Sequence, residues 1–526
     1  MADAHTARLC VQIIDSHFGS LTSTVASTLL TRGRLTLPHL IRYSGLKPRT
    51  VRACILVLVQ HNLLWHATLD REEEALEINV EECLTRLRYG RYAWIAEENL
   101  GVKAREILEL VLDHGKLRPE EIMREIKETH FVSDVKDYNK ALTQLVKLRY
   151  LKPATALGHQ SPRDKLIKYE AAERAKISGL PTTKQLREAK EVAYAMWKRE
   201  EAAAESEGLT VKGRVNETAY FRINAERFNI HIRNTLIERA ARQRYNEGAA
   251  AVVRAALKVT EQQQLSLAEA RTEPITIANI AGQLTANDNL ASGLVLTSSK
   301  QANRAQCIKE YLGILSNADN PTLTARAAAF VSFDSQKVHV EFETVGKRMK
   351  RGVLEAVVRE RHGTEGVRII RLLLETGKMD EKQISKVAMM ATKDVRPKLS
   401  ALAGESIIST SEVPRGADRN PTRTFYLWYI DLNKAYQVIL LQLYKTLYNI
   451  GVRRQTEKEE QMVKTVLEKR ARKDVQADLS LLSALDRDVL EAWEQKEERL
   501  TVLEMRVEES VFLLRDLAVL GSDNND

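Results

Sequence analysis

With 526 residues the chain is too long for one ordinary core, and at roughly 150 residues per domain it holds three or four units. A hydrophobic share of 44% with only 6% aromatic residues builds cores from Leu, Val, Ile and Ala, which favours helices. Lys and Arg number 80 against 71 Asp and Glu, a net charge of +9 that permits a polyanionic partner without requiring one, so the distribution of charge matters more than its total.

Residues 36–80 read as a short helix (Leu37 to Tyr43), a Ser44-Gly45 turn, a longer helix (Pro48 to His61) and a two-stranded hairpin. A helix from about Ala7 to Phe18, closed by Gly19, is expected to supply the third helix of this winged-helix pattern. The pattern returns at 101–152, with helices at Ala104 to Asp113, Pro119 to Lys127 and Val135 to Arg149. A third copy is expected at 246–343, with helices at Gly248 to Thr260, Ile277 to Leu284 and Lys300 to Leu315 and strands at Ala329 to Phe333 and Lys337 to Phe342. The fourth is the clearest: Val367 to Glu375, Asp380 to Ala388 and Thr392 to Ala403, then strands Ile407 to Val413 and Thr424 to Ile430 around a basic turn.

After Asp431 the pattern changes. Leu432, Tyr436, Ile439, Leu443, Leu447 and Ile450 mark one face of a long helix, and Trp493, Leu500, Val507 and Leu514 recur every seven residues in a second arm. Val489, Leu503 and Leu517 fill most of the complementary positions, while Lys496 and Ser510 are polar interruptions suited to setting register. The fold class expected is therefore mainly α: tandem winged helices followed by a C-terminal antiparallel coiled-coil helical hairpin bent near Gly451. Expected bounds are 1–83, 84–169, 214–345 (with a polar insert at 286–299) and 346–430 for the winged helices. Residues 170–213, rich in Ala, Glu and Lys, read as a mobile helical insert or linker between the second and third modules, 431–520 as the hairpin and 521–526 as a disordered tail.

Motifs for catalysis are missing. The Gly-Lys pairs at 115, 346 and 377 have Leu110, Glu341 and Leu372 where a phosphate-wrapping loop needs Gly. No HExxH or GxSxG occurs, and Cys10, Cys54, Cys83 and Cys307 stand singly, without zinc or disulfide spacing. Neither a catalytic residue, a cofactor nor a metal is expected. The N-terminus lacks a signal pattern and no run of about 18 apolar residues occurs, so a soluble intracellular chain without membrane contact is expected.

Residues 31–66 hold Arg32, Arg34, Arg42, Lys47, Arg49 and Arg52 and no acidic residue. Lys47, Arg49 and Arg52 fall at the start of the predicted recognition helix, where the helix N-terminus adds attraction for phosphate. A second candidate contact to nucleic acid is the fourth wing, with Arg415, Arg419 and Arg423, and the helix before it, with Lys393, Arg396 and Lys398. Each group has a plainer alternative: a solvated basic face, a surface for an acidic protein, or a flexible polar loop. Lys347, Arg348, Lys350 and Arg351 read as an exposed helix start. Phe425, Tyr426, Trp428 and Tyr429 lie on one strand, whose alternation rules out a stacking platform in favour of core contacts and docking to the next helix.

The stretches LIRYSGLKPRTVRACILVLVQHNLL, LRYGRYAWIAE and TFYLWYIDLNKAYQVILLQLYKTLYNI resemble the third-largest, winged-helix subunit of eukaryotic RNA polymerase III, and the likeness in module order spans the whole chain. The alpha subunit of transcription factor IIE is a looser relative, because its zinc ribbon has no counterpart here. The resemblance implies a non-catalytic subunit in the nucleus, seated on the largest subunit's clamp with two sister subunits. It further implies help with promoter opening and initiation at small non-coding RNA genes such as those for tRNA and 5S rRNA, with sequence-independent contact to promoter DNA and no small-molecule substrate. A free winged-helix transcription factor, or a scaffold of a cullin-like or proteasome-lid-like assembly, would share the module pattern.

Overall fold

The computed structural model describes residues 3–68, 74–130, 136–177, 182–206, 208, 215–285, 290, 293–294, 304–317, 329–334, 337–414, 424–477 and 481–517. The described residues are mainly helical, with four small sheets. The chain divides into two compact units, Met1–Asn229 with Tyr448–Leu500, and Ile230–Leu447 with Thr501–Asp526.

In the first unit, the opening module contains one more helix than expected. Ala4–Phe18 is helical, but Gly19 (φ 83) starts a second helix, Ser20–Arg32, which leads into strand Leu35–Thr36 and packs under the helix-turn-helix. The sequence SLTSTVASTLL hides it, because Ser and Thr favour caps and turns over helix interiors. Here the hydroxyls of Thr24, Thr28 and Thr31 donate to the carbonyls of Ser20, Thr24 and Ser27, four residues back, while Val25, Ala26, Leu29 and Leu30 are buried. Helix Ala4–Phe18 is therefore an addition, packed against Ser20–Arg32 and Val80–Thr85. Strand Glu74–Ile78 pairs with both Leu35–Thr36 and Leu64–Thr68 to complete the winged helix.

The second module has helices Val102–His114, Pro119–His130 and Lys136–Lys147. Its strand Leu151–Pro153 pairs antiparallel with Phe221–Ile223, and Leu117 bridges Phe221. Residues 154–220, including helices Pro162–Arg174 and Thr183–Ser206, are therefore inserted between the two wing strands. Of the two readings of 170–213, a helical insert or a linker between modules, this pairing makes the segment an insert within the second module; its place there was hidden because the returning strand is too short to show alternation.

The same unit holds part of the hairpin. Helix Leu432–Glu459 runs through Gly451 unbroken, and the chain bends at Glu460, before Gln461–Arg470. The expected bend at Gly451 is absent: the glycine lies within the helix and faces the end of the Gln12 side chain, 2.6 Å from where a Cβ would stand. The arms run antiparallel, with Arg454 3.0 Å from Glu497, Lys496 2.8 Å from Glu457 and Lys469 2.9 Å from Asp486.

The second unit holds the third and fourth modules. Helix Glu247–Thr260, strand Ile275–Thr276, helices Ile277–Gln283 and Arg304–Ser316, and strands Val331–Asp334 and Lys337–Val340 close one core around Val252, Ile280, Ile308, Leu312 and Val338. Helix Phe342–Thr376 kinks at Gly363 (φ 73), and its second half is the first helix of the fourth module. Helix Glu381–Ala388 starts in a capping box, in which Gln383 accepts the Asp380 backbone N–H at 3.2 Å. Helix Thr392–Gly404 and strands Ser409–Pro414 and Thr424–Tyr429 complete the module. Ala435, Ile439 and Leu514 of the hairpin belong to its buried core, beside Ile369, Ile384 and Leu399. The polar insert lies mostly, and the 521–526 tail wholly, outside the described residues.

Two outcomes follow from these cores. Ile439 is 1% exposed, so Ile439→Ala should destabilise the fourth module by about 2–4 kcal/mol in denaturant unfolding; a loss below about 0.5 kcal/mol would place the hairpin outside the core. In the first unit, the His61 ring lies 4.6 Å from Phe18, and burial, then Arg86, lower its pKa to about 3; the same causes bring His17 to about 4. Both folded values lie below the unfolded value of about 6.5, so the unfolded chain binds more protons in between. The stability held by the neutral rings is complete above about 6.5 and is lost as pH falls towards 4 and 3. The melting temperature should fall between pH 7 and pH 5, and His61→Gln should flatten that slope; an identical slope in the variant refutes the assignment.

Candidate nucleic-acid interface

In the first module, helix Leu37–Ser44 ends at Gly45, whose left-handed φ of 66 turns the chain into helix Pro48–Gln60. Pro48 suits the first helical position because its missing N–H would have no helical partner there. Val51, Cys54 and Leu58 bury one face of this helix, which leaves Arg49, Arg52, Leu56 and Val57 exposed. Arg42 and Lys47 are also exposed. Among the described residues, the side chains of Arg42, Lys47, Arg49 and Arg52 make no hydrogen bond or ion pair.

The other two candidates in this segment are engaged. The Arg32 guanidinium lies 4.0 Å over the Tyr43 ring. Arg34 is held by Glu77 at 2.7 Å and Asp164 at 3.0 Å, which ties the first wing to the inserted helix Pro162–Arg174 and neutralises its charge locally. The structure thus separates four solvent-facing cations from one stacked and one paired arginine, a division that spacing along the chain could not reveal.

In the fourth module, Lys393 is exposed and makes no hydrogen bond or ion pair among the described residues. Arg396 pairs with Glu381 at 3.0 Å, and Lys398 donates to the His362 carbonyl at 2.9 Å. Arg415, Arg419 and Arg423 lie outside the described residues. The aromatic strand departs from simple alternation. Trp428 exchanges backbone hydrogen bonds with Met379 and packs on the core, whereas the adjacent Phe425 and Tyr426 are both exposed, at 44% and 41%. Lys347 pairs with Glu343 at 2.6 Å and Arg351 with Glu355 at 2.9 Å, so that basic cluster is occupied along its own helix.

Of the hairpin residues, Ile439, Leu447, Trp493 and Leu514 are buried, and Tyr436, Leu443, Leu500 and Val507 half-buried. Leu432, at the helix start, is 36% exposed and does not enter the seam, and Leu503 is likewise exposed. Burial pushes the Tyr436 phenol up to about 12. The heptad reading missed Val511 and Phe512, which are more deeply buried than Val507, because the strict seven-residue repeat drifts on a straight helix. Lys496 does join the arms through Glu457, whereas among the described residues the Ser510 hydroxyl donates to the Arg506 carbonyl of its own helix and does not reach the other arm.

With this geometry in view, the comparisons with known proteins are specific. Residues 8–67 match the family model for the RNA polymerase III subunit RPC82 helix-turn-helix domain, residues 140–326 that for RNA polymerase III subunit RPC82, and residues 354–430 that for the POLR3C C-terminal winged-helix domain. Proteins named DNA-directed RNA polymerase III subunit RPC3 from Bos taurus and Danio rerio are 25% and 26% identical, over 96% and 97% of this chain and 97% and 98% of their own. One of the same name from Ajellomyces capsulatus (strain NAm1 / WU24) is 32% identical over 41% of this chain and 33% of its own. Three stretches match domains of a single subunit in order, and relatives of that subunit align almost end to end: the chain belongs to the winged-helix subunit family of RNA polymerase III.

Proposed function

We propose that this chain is a non-catalytic subunit of DNA-directed RNA polymerase III, acting in the nucleus within a clamp-bound subcomplex that assists promoter opening and initiation. Its partners in this reading are the largest subunit's clamp, two sister subunits and promoter DNA. The observation that carries the DNA contact is the exposed face of the first module, where Arg42, Lys47, Arg49 and Arg52 stand without counter-charges among the described residues. Such cations take phosphate from any sequence, since base edges would need donors and acceptors in fixed pairs. Lys393 of the fourth module is the second such point, with the Arg415, Arg419 and Arg423 wing as its proposed extension. The half-buried and exposed parts of the hairpin are the proposed grip on the other subunits.

A protein-docking reading of the same helix has its own support: Leu56 is 70% exposed and Val57 38% exposed on the recognition helix. One experiment separates the two. In the assembled polymerase, Lys47→Glu, Arg49→Glu and Arg52→Glu together should weaken promoter DNA binding. They should also lower the slope of log affinity against log salt by roughly 0.7–0.9 per lost phosphate contact. Leu56→Glu should leave that slope unchanged. A triple variant with an unaltered salt slope and unaltered promoter opening overturns the phosphate reading; loss of a sister subunit on Leu56→Glu alone establishes the docking reading.

A further inference from the structure

The wing insertion of the second module encloses, with the first module, a cavity of about 200 Å³. Its walls include Trp65 and Glu82 from the first module side, Arg222 from the returning wing strand, and Lys165, Trp197 and Glu201 from the inserted helices. Lys165 is only 7% exposed, yet its ammonium makes no hydrogen bond or ion pair among the described residues. The Trp197 indole N–H is buried without an acceptor, and the Arg222 guanidinium makes no hydrogen bond or ion pair among the described residues. Of the two carboxylates in the walls, Glu201 is already held by Lys198 at 3.1 Å.

Burying donors without acceptors is costly, and burying a charge without a partner costs more. The neighbouring groups register the imbalance. Burial holds Lys165 below the ordinary lysine range against the pull of Glu201, and Arg222 adds to the depression. Lys116 is lowered to about 8 by burial and then by Arg222, and His159 to about 4 by burial and then by Lys116 and Arg222. Lys152, Lys165 and Arg222 in the walls, with Lys116 beside them, outnumber the carboxylates Glu82 and Glu201, and the surplus positive charge and donors are a combination that one bound anion corrects. The cavity is smaller than the roughly 300–1,000 Å³ of ordinary small-molecule sites, so it suits a single group rather than a nucleotide.

We propose that this cavity binds one phosphate group, with Lys165 and Arg222 supplying charge-assisted hydrogen bonds and the Trp197 indole a neutral one. Bidentate pairing suits the fixed fork of Arg222 and a point contact suits Lys165. The site is separate from the basic face of the recognition helix, and its test does not depend on the role proposed above.

The full chain is titrated calorimetrically with inorganic phosphate against chloride at constant ionic strength. Saturable heat specific to phosphate is expected, with affinity reduced at least tenfold by Lys165→Gln and by Arg222→Gln, and unchanged by Lys347→Gln, whose ammonium is paired with Glu343 and takes no part in the cavity walls. Each variant is checked by thermal melting, and phosphate should raise the melting temperature of the parent chain more than that of either variant. A second arm repeats the titration in the presence of a short single-stranded oligonucleotide without terminal phosphate. Competition assigns the group to a phosphodiester, and undiminished phosphate binding assigns it to the free ion. Absence of saturable phosphate heat in the parent chain, or equal affinity in a folded Lys165→Gln or Arg222→Gln variant, overturns the proposal.

Discussion

The fold depends on apolar faces of the hairpin being used as core for modules that are small on their own. Below about 70–80 residues a single core rarely supplies more than 3–5 kcal/mol, and the fourth module is near that size. Its core is enlarged by Ala435, Ile439 and Leu514, all from hairpin helices. Fully burying one such branched side chain adds about 1.5–3 kcal/mol, a large fraction of what a small module has. In the first unit the hairpin comes close enough to helix Ala4–Phe18 that a Cβ at 451 would displace the end of the Gln12 side chain. The hairpin is thus part of the folded bodies themselves rather than a tail tethered to them.

That arrangement explains which features were legible from residue order. The third and fourth modules carry strong contrasts of apolar and polar residues, and helices Glu247–Thr260, Glu381–Ala388 and Thr392–Gly404 fall where periodicity places them. Helix Ser20–Arg32 was hidden because its stability comes from neighbours and from hydroxyls bonded to the preceding turn, neither of which has a period. Strand Phe221–Ile223 was hidden for a different reason. Its pairing partner lies far back along the chain, and three residues cannot display alternation. Gly451 reads as a breaker by residue type alone, yet helix Leu432–Glu459 continues through it and the chain bends at Glu460 instead.

The candidate interface was legible as composition and illegible as chemistry. Counting charges over 31–66 finds six cations and no carboxylate, but carboxylates distant in sequence decide which cations stay available. Glu77 and Asp164 occupy Arg34, and Glu381 occupies Arg396. Exposed pairs of this kind add about 0–1 kcal/mol to stability, so their larger effect is on the field: they remove charge from the surface at chosen points. What is left is a compact group, Arg42, Lys47, Arg49 and Arg52, around the turn between two helices.

The recognition helix then carries two chemistries along one line. Arg49, Arg52 and Leu56 follow one another at spacings of three and four, which keeps them on neighbouring faces. At 1.5 Å per residue, Arg49 and Leu56 are about 10 Å apart along the axis. Under the proposed role, the basic end meets a phosphate backbone while the apolar end meets protein, because the separation, about half the length of the 13-residue helix, exceeds the reach of one contact. A partner that covers Leu56 would also exclude water beside Arg52 and strengthen its electrostatics. Assembly and DNA contact on this helix would then be coupled through solvent exclusion alone, with no change of shape required.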